Sequence, residues 1–447
     1  MLQTKKSRIE RTRDTVVYLI AVLGVILLIV ARYIHDERFV LYGCVALLAA
    51  LVATGGLAHQ WAVHHGLSRG IRYAVLHSKM EQRLYQALYD CGLYVERVVL
   101  LKKCAMLPDI SIQIDDSFAK GIVTIQNCIK YDKKLDELPI SSALPDEYII
   151  TTSFISDDCN DYVYEFELYH LEQLRFNSYK DFSEYANRYG EYELFLDSRH
   201  HVTIHHTLII GQTGSGKSYC LYNLILQMLS KPKPYELYIA DPKYCGLYVL
   251  GTVVSKDYTA TTVDEIIQLL KKFDNRMQDR KQEFCKKLLL KLDSDYRDFG
   301  LQPICLIIDE YSAFRASLSR YDKKTRDFVD EIIGNVIREG RQLGCFCIIS
   351  QQQSNATNLP TELKENMPCK IILGMAERQT YMTALGVYPD VARRNFECGQ
   401  GLLVYPQIAN PETPAVTSVA TLSFDILEAC KEQCMNNKSR REKAGVM

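Results

Sequence analysis

The sequence predicts an α/β protein whose main domain has a doubly wound parallel sheet, with helical and mixed segments before it. Three observations support this fold class: two long uncharged apolar stretches near the start, a region of short alternating strands, and a glycine-rich loop followed by alternating strands and helices. The predicted segments are a basic N-terminus with two membrane helices (1–68, helices at about 16–33 and 39–58), a helical lead and small α+β module (69–192), the main α/β domain (193–410), and a C-terminal helical segment with a basic tail (411–447).

The two apolar stretches are Val16 to Ala31 and Phe39 to Ala58. Both are apolar around the whole helix, and with their flanks they are long enough to cross a bilayer as a hairpin. Basic residues precede the first stretch and follow the second, at Arg69 and Arg72. Because positive charge favours the cytoplasmic side, we expect a multi-pass protein of the cell membrane with both termini in the cytoplasm. A cleaved signal peptide and a buried hairpin of a soluble core are the alternatives.

A helical stretch, Gly70 to Leu93, leads into a segment of different pattern, residues 95–170. Polar and apolar residues alternate there, for example at Ser111 to Ile114 and at Tyr162 to Leu168, which indicates strands. We therefore predict a small α+β module. The pattern does not indicate its function, and a strand-rich spacer explains it equally well.

The segment Gly211 to Ser218 fits the phosphate-binding pattern G-x-x-x-x-G-K-[ST] at every fixed position. It lies between a strand-like run, His206 to Ile210, and a helix-like run, Tyr219 to Leu229, which is the context that the pattern requires. Its backbone N–H groups surround the phosphates, Lys217 reaches the terminal phosphates, and the Ser218 hydroxyl ligates Mg²⁺. The predicted ATP-binding residues are Gly211, Gln212, Thr213, Gly214, Ser215, Gly216, Lys217 and Ser218. The domain is thus predicted to be a P-loop NTPase with a RecA-like sheet.

A fully apolar run, Ile304 to Ile308, ends in Asp309 and Glu310. Such a run predicts a buried parallel strand, and ligands bind at the C-terminal ends of such strands. We predict that Asp309 holds Mg²⁺ together with Ser218, and that Glu310 orients and deprotonates the attacking water. ATP and Mg²⁺ are therefore the predicted cofactors.

Another apolar run, Cys345 to Ile349, is followed by Ser350 and Gln351. Gln351, at the end of a predicted strand, is a candidate to sense the γ-phosphate or to position water. Two further strands, Leu237 to Ala240 and Cys369 to Leu373, alternate with helical stretches, which predicts the parallel sheet.

The composition gives no global sign of a nucleic-acid partner, because the formal net charge is −1. Any DNA contact must therefore be a local basic stripe. The 15 cysteines are scattered without a C-x-x-C pair. Cys430 and Cys434 lie one helical turn apart but lack two further zinc ligands, so we expect reduced cysteines in a cytoplasmic domain.

Further motifs follow in order: Asp241-Pro242-Lys243, Gly340-Arg341-Gln342-Leu343-Gly344, Asn366-Met367-Pro368-Cys369-Lys370 and Gly399-Gln400-Gly401. With the P-loop and the Asp309 strand, this series resembles the FtsK/SpoIIIE DNA translocase motor of the FtsK–HerA group of P-loop ATPases. The resemblance covers about half of the chain, residues 201–405. It implies a hexameric ring with ATP between subunits and double-stranded DNA in the pore, and it assigns Lys217, Glu310 and Gln351 to the catalytic site.

Arginines complete the implied site. Arg338 and Arg341 are both candidates for a charge donated across a subunit interface, and the sequence does not choose between them. Either is equally compatible with a plain helix-surface cation. The basic segment from Arg315 to Arg326 is a candidate for DNA contact in the pore, with a solvated surface as the alternative.

The chain departs from chromosome-segregating members in having two predicted spans rather than four and no DNA-reading domain after the motor. Ser350-Gln351-Gln352-Gln353 also replaces the usual Thr-Gln-Arg-Pro. Short two-span versions look like the TcpA-like coupling proteins of Gram-positive conjugative elements. The expected function is a membrane-anchored, ATP-driven DNA translocase that delivers DNA in conjugation, with a relaxase and type IV secretion channel proteins as expected partners. The alternatives are a chromosome translocase of division or sporulation, and a non-motor, ATP-switched membrane hub that recruits relaxase and channel proteins.

Overall fold

The computed structural model describes the whole chain except residues 1–2, 35–36, 100–101, 131–133, 136–139, 169–172, 354–358, 394 and 444–447. The chain forms two compact units, residues 1–169 and 170–447. The N-terminal unit contains helices α1 (Lys5–Ile34), α2 (Glu37–His64) and α3 (Ile71–Asp90), and strands β1 (Gln3–Thr4), β2 (Val95–Val99), β3 (Lys102–Met106), β4 (Ile110–Ile114), β5 (Lys120–Gln126), β6 (Tyr148–Ile155) and β7 (Asp161–Leu168).

Helices α1 and α2 form a hairpin with a close backbone approach. A Cβ atom on Gly43 of α2 would lie 2.7 Å from the Cγ atom of Leu28 on α1, so a small residue is required at this contact. Large apolar side chains point away from the contact, and Tyr18 and Leu51 are 68% and 69% exposed. By length and composition, Arg13–Ile34 and Arg38–His64 are apolar enough to cross a membrane, and both contain the predicted helices.

Helix α3 packs against an antiparallel sheet with strand order β4-β5-β7-β6. Met80 and Leu84 from the helix meet Val123 and Phe166 from the sheet in one buried cluster. A helix followed by a small antiparallel sheet therefore occupies the segment predicted as a helical lead and an α+β module. Strands β2, β3 and β6 were not predicted, and β3 pairs with both β2 and β1 in a separate small sheet.

The C-terminal unit contains a larger set of elements. Its helices are α4 (Tyr179–Ala186), α5 (Lys217–Ser230), α6 (Gly246–Val254), α7 (Val263–Leu288), α8 (Tyr311–Leu318), α9 (Lys323–Leu343), α10 (Thr361–Glu365), α11 (Arg378–Leu385) and α12 (Ile426–Lys443), and its strands are β8 (Arg175–Phe176), β9 (Glu193–Phe195), β10 (His201–Thr203), β11 (Thr207–Gly211), β12 (Glu236–Ala240), β13 (Thr259–Ala260), β14 (Ile304–Ile308), β15 (Cys345–Gln351), β16 (Cys369–Leu373), β17 (Gln400–Val404), β18 (Ala415–Ser418) and β19 (Thr421–Leu422).

The main sheet has eight strands in the order β13-β12-β14-β15-β11-β16-β17-β18. The first six run parallel, as predicted, and the strands at its centre are completely buried because helices cover both faces. Helices α7 and α9 pack together, while α12 packs against α5 and α6. The predicted doubly wound parallel sheet is therefore confirmed.

Two antiparallel strands extend this sheet at one end, a feature that the sequence analysis did not predict. Strand β17 pairs with β16, and β18 pairs with β17. A Cβ atom on Gly401 would collide with the backbone of Ile372, so glycine allows the two strands to approach.

The compact C-terminal unit is larger than the predicted domain at 193–410. Before that range, β8 pairs with β19 and α4 contacts α5. After it, β18 and α12 belong to the same unit. The flanking segments thus close the unit around the sheet.

Candidate nucleotide site

The loop between β11 and α5 has the backbone shape that its sequence pattern predicts. Gly214 and Gly216 have φ angles of 83° and 96°, which favour glycine. A Cβ atom on Gly216 would lie 2.9 Å from the Cα atom of Gly399, and the Gly399 N–H donates to the Ser215 carbonyl oxygen at 2.9 Å. Helix α5 begins at Lys217, so its positive end faces the space enclosed by the loop.

The predicted lysine and carboxylates converge beside this loop. The Lys217 ammonium donates a hydrogen bond to Glu310 Oε1 and lies 3.5 Å from Asp309 Oδ1. All three side chains are about nine-tenths buried. The fold thus joins the P-loop strand β11 to the carboxylates that follow β14, two strands away in the sheet.

Two neighbours orient Asp309. The buried Ser350 hydroxyl donates to Asp309 Oδ1, and the Asp309 N–H donates to the Ala240 carbonyl oxygen at 2.9 Å. Ser218 is exposed in the first turn of α5, next to Lys217. A carboxylate and an exposed hydroxyl are oxygen donors of the kind that Mg²⁺ prefers, so the chemistry of these residues fits this ion.

Glu310 is held by a second lysine that the sequence analysis did not assign to the site. Lys243 Nζ lies 3.1 Å from Glu310 Oε2, and Gln352 Nε2 donates to Glu310 Oε1 at 3.3 Å. Burial alone would raise the pKa of the Glu310 carboxyl, but the hydrogen bond and charge of Lys217, followed by those of Lys243, outweigh it and lower this pKa. The carboxylate is therefore ionised and is restrained by two cations.

Asp241 positions the loop that carries Lys243. Its carboxylate is fully buried and accepts the backbone N–H groups of Cys245 at 2.8 Å and Tyr248 at 3.1 Å. The motif Asp241-Pro242-Lys243 was visible in the sequence. The role of Lys243 became apparent only from its contact with Glu310, because the two residues follow different strands.

Gln351 ends strand β15 directly beside the P-loop strand, with its Cα paired to Ile210. Neither its amide oxygen nor its amide nitrogen has a hydrogen-bond partner among the described residues, although the side chain is fully buried. The hydroxyl of Ser215 in the loop is also buried without a partner there. Unsatisfied buried polar groups are costly, so these atoms are available to a ligand with complementary groups.

The structure does not bring Arg338 and Arg341 to this site in their own chain. Both lie in the last turns of α9, close to the start of β15, whereas the P-loop lies near the end of β15. They line a separate cleft of about 700 Å³ together with His205 and Asp295, and Arg338 forms a long ion pair with Glu362 at 3.8 Å. Their role across a subunit interface stays a prediction.

The basic segment proposed for DNA contact divides into two kinds of residue. Arg315 forms hydrogen bonds to both carboxylate oxygens of Asp330, the longer at 3.2 Å, as in a surface ion pair. Arg320, Lys323 and Lys324 are exposed around the start of α9. These three cations therefore remain the candidates for DNA contact.

The parallel sheet, the P-loop and the convergent lysine and carboxylates define a P-loop nucleoside-triphosphatase domain. The model of the FtsK/SpoIIIE family matches residues 191–300, which confirms for this segment the resemblance found from the motifs. Residues 191–300 are thus similar in sequence to the FtsK/SpoIIIE family.

Individual proteins are also similar to part of the chain. The Ftsk domain-containing protein YdcQ of Bacillus subtilis (strain 168) is 27% identical over 196 residues, which cover 44% of this chain and 40% of that protein. The DNA translocase SpoIIIE of the same strain is 27% identical over 246 residues, which cover 50% of this chain and 29% of that protein. The chain spans less than half the length of the curated relatives it matches.

A solved structure also resembles the chain. The pCW3 conjugation coupling protein TcpA, solved as a monomer with ATPγS, is 18% identical. The similarity covers 80% of this chain and 99% of that chain, with a TM-score of 0.49.

Replacing Lys243 with alanine is expected to shift the acid limb of the pH–rate profile of ATP hydrolysis to higher pH. Glu310 would lose one of the two cations that lower its pKa, so its carboxylate would bind a proton more readily and the active ionised form would be lost earlier on acidification. The measurement is kcat/KM for ATP against pH in wild type, Lys243→Ala and Lys243→Arg. The arginine variant keeps the charge and should keep the limb near its wild-type position. An acid limb in Lys243→Ala that coincides with wild type would contradict the assignment.

Proposed function

We propose that this protein is a membrane-anchored, ATP-driven DNA translocase that delivers DNA to a secretion channel during conjugation. The observation that carries the ATPase part of this proposal is the direct contact of Lys217 with both Asp309 and Glu310 beside a glycine loop of the required shape. These contacts join the phosphate-binding group to the two carboxylates that hydrolysis needs.

In hydrolysis, Lys217 leaves Glu310 and binds the terminal phosphates of ATP, which releases the carboxylate. Glu310 then accepts a proton from the attacking water while the water oxygen bonds to the γ-phosphorus, and the bond to the β–γ bridging oxygen breaks to give ADP and phosphate. The buried amide of Gln351, which has no hydrogen-bond partner among the described residues, is proposed to donate to the transferring group or to the water. Ser218 and Asp309 would hold Mg²⁺, which neutralises phosphate charge when bound.

DNA is proposed as the cargo because the matched domain type occurs in a protein named as a DNA translocase. With a net charge of −1, the chain needs a local contact, and Arg320, Lys323 and Lys324 offer exposed cations around one helix start. Such contacts bind phosphates without sequence preference and weaken as salt rises. A hexameric ring, in which Arg338 or Arg341 of one subunit faces the nucleotide of the next, follows from the family resemblance.

Membrane anchoring is proposed from α1 and α2. Their outward faces expose large apolar side chains along both helices, which water does not favour. Both termini are proposed to lie on the cytoplasmic side, because basic residues flank the two helices. Two such helices before an FtsK-type ATPase domain resemble the arrangement of coupling proteins, so a relaxase and type IV secretion channel proteins are the proposed partners.

Duplex or single-stranded DNA is expected to raise the ATPase rate of the full-length protein several-fold. The assay uses the detergent-solubilised chain with each DNA, and Glu310→Gln serves as the blank. A triple variant, Arg320→Ala with Lys323→Ala and Lys324→Ala, should lose much of the stimulation but keep the basal rate, because its changes lie outside the nucleotide site. Lys286→Ala, an exposed lysine on α7, is the matched control. A rate that no DNA changes, but that a relaxase or channel protein raises, would favour the recruiting hub.

A further inference from the structure

A cluster of histidines and one glutamate lies where α2 ends and the chain turns into α3. His64 Nε2 lies 3.1 Å from Glu81 Oε1, and His65 Nε2 lies 3.1 Å from Glu81 Oε2. The three ligand atoms all lie within 4.8 Å of one another. His65 and Glu81 are 6% and 4% exposed, so this is a buried polar group within the N-terminal unit.

Hydrogen bonding indicates which ring nitrogen of His65 carries a hydrogen atom. Its Nδ1 atom lies 2.8 Å from the Trp61 carbonyl oxygen, which can only accept, so Nδ1 must carry a hydrogen and donate it. In a neutral imidazole the other nitrogen then presents a lone pair, and this lone pair faces the carboxylate oxygen of Glu81. Two acceptors at 3.1 Å repel each other unless a positive charge, either a proton or a metal ion, lies between them.

A metal ion satisfies the cluster better than protons do. Two imidazolium ions facing Glu81 would add two neighbouring positive charges in a largely buried place, whereas one metal ion can accept lone pairs from both imidazoles and from the carboxylate. A third imidazole lies beside the pair. The ring centre of His77 lies 5.4 Å from that of His65, and the buried Nδ1 atom of His77 has no hydrogen-bond partner among the described residues. Three imidazole rings thus meet close to one carboxylate, which gathers nitrogen and oxygen donors of the kind that bind transition metals.

We propose that His64, His65 and Glu81 bind a divalent transition-metal ion of the Zn²⁺ type. Zinc bonds to imidazole nitrogen and carboxylate oxygen are about 2.0–2.2 Å long, so neighbouring ligand atoms around a tetrahedral ion are roughly 3.3 Å apart. Each of the two imidazole nitrogens lies 3.1 Å from a different oxygen of the Glu81 carboxylate, which is close to this value. The His64 side chain is 56% exposed and can rotate to complete the set. The hydrogen bond from His65 Nδ1 to a carbonyl is the support that metal-bound histidines usually have.

The chemistry of the ligands separates this site from the nucleotide site. Imidazole nitrogens favour zinc and related ions over Mg²⁺, which prefers oxygen donors. The ligands come from the end of α2, the turn after it and α3, so a bound ion would fasten the apolar helix to the first helix of the polar module. The turn itself is tightly built, because Gly66 has a φ angle of 67° and a Cβ atom there would lie 2.9 Å from the Tyr73 ring.

The test is titration of the full-length chain with Co²⁺, in detergent and without nucleotide, after chelation of endogenous metal. The purification tag must contain no histidine. We expect one strongly bound Co²⁺ with the visible absorption of a nitrogen- and oxygen-ligated tetrahedral ion, displaced by Zn²⁺ but not by excess Mg²⁺. Because the chain has 15 cysteines, the absence of a thiolate-to-cobalt band is part of the expected result.

Two single variants and one control complete the test. His65→Ala and the isosteric Glu81→Gln should each weaken Co²⁺ binding more than about tenfold. His59→Ala removes an exposed histidine of α2, the helix that ends at His64. This variant should bind Co²⁺ like wild type. Retained ATP binding would show that the C-terminal unit is folded, and far-ultraviolet circular dichroism with a thermal melt would check the whole chain. No Co²⁺ binding by wild type, a thiolate band, or wild-type affinity in both variants would overturn the proposal and leave imidazolium ions as the partners of Glu81.

Discussion

Replacing Lys217 with alanine is expected to reduce ATP hydrolysis by at least about 100-fold, the usual effect of losing one group that stabilises transition-state charge. Lys217 is the cation at the start of α5, and it reaches both carboxylates behind the loop. Its loss removes the charge that holds the terminal phosphates, and no described cation other than Lys243 contacts Glu310. Folding should survive, because an ion pair whose carboxylates keep Lys243 and Ser350 as partners is not the main source of stability.

The measurement is steady-state phosphate release by the full-length protein, with far-ultraviolet circular dichroism and a thermal melt as checks of folding. Lys286→Ala, an exposed lysine on α7 outside the site, provides the matched control and should turn over at the wild-type rate. Normal turnover in Lys217→Ala would remove the basis for the assigned site.

Glu310→Gln is expected to bind ATP but to hydrolyse it about 10²–10⁴-fold more slowly, the range for loss of a general base. The amide keeps the size of the side chain but cannot accept the proton of the attacking water. Lys217 keeps Asp309 as a partner at 3.5 Å and is attracted less strongly by the amide, so phosphate binding should not weaken. Equilibrium binding of a fluorescent ATP analogue and single-turnover hydrolysis separate the two effects.

A surface glutamate offers the control for this change. Glu339→Gln breaks an exposed ion pair with Lys281, at 2.8 Å, and should leave both binding and hydrolysis near wild type. If Glu310→Gln lost ATP binding together with hydrolysis, Glu310 would be a structural partner of Lys217 rather than the base.

The sequence predicted the parallel part of the sheet closely, because its strands are short, mostly apolar and separated by clear helical patterns. Ile304 to Ile308 and Cys369 to Leu373 coincide with the observed strands β14 and β16. Strand β17 was missed because the glycines at its start are equally typical of loops, and β18 has only four residues, too few to show a period. Strands of two or three residues, such as β8 and β19, have too few residues to show a period.

In the site, the residues of the P-loop pattern and the carboxylates after an apolar strand were predictable, because each is tied to a neighbouring element. Contacts between segments were not. Lys243 on Glu310 and Ser350 on Asp309 arise because β12, β14 and β15 are adjacent in the sheet and end at the same edge. No spacing along the chain encodes that adjacency.

The contact of Gly399 with the P-loop has a mechanical consequence. The Gly399 N–H holds the Ser215 carbonyl, its own carbonyl accepts the Val419 N–H at 2.7 Å, and the Thr421 N–H reaches the Leu174 carbonyl at 2.8 Å. A loop that tightens around phosphate must carry Gly399 with it or break that hydrogen bond. Any displacement of the loop would therefore be passed through this chain of hydrogen bonds to the end of the sheet and to the segments from both flanks of the domain.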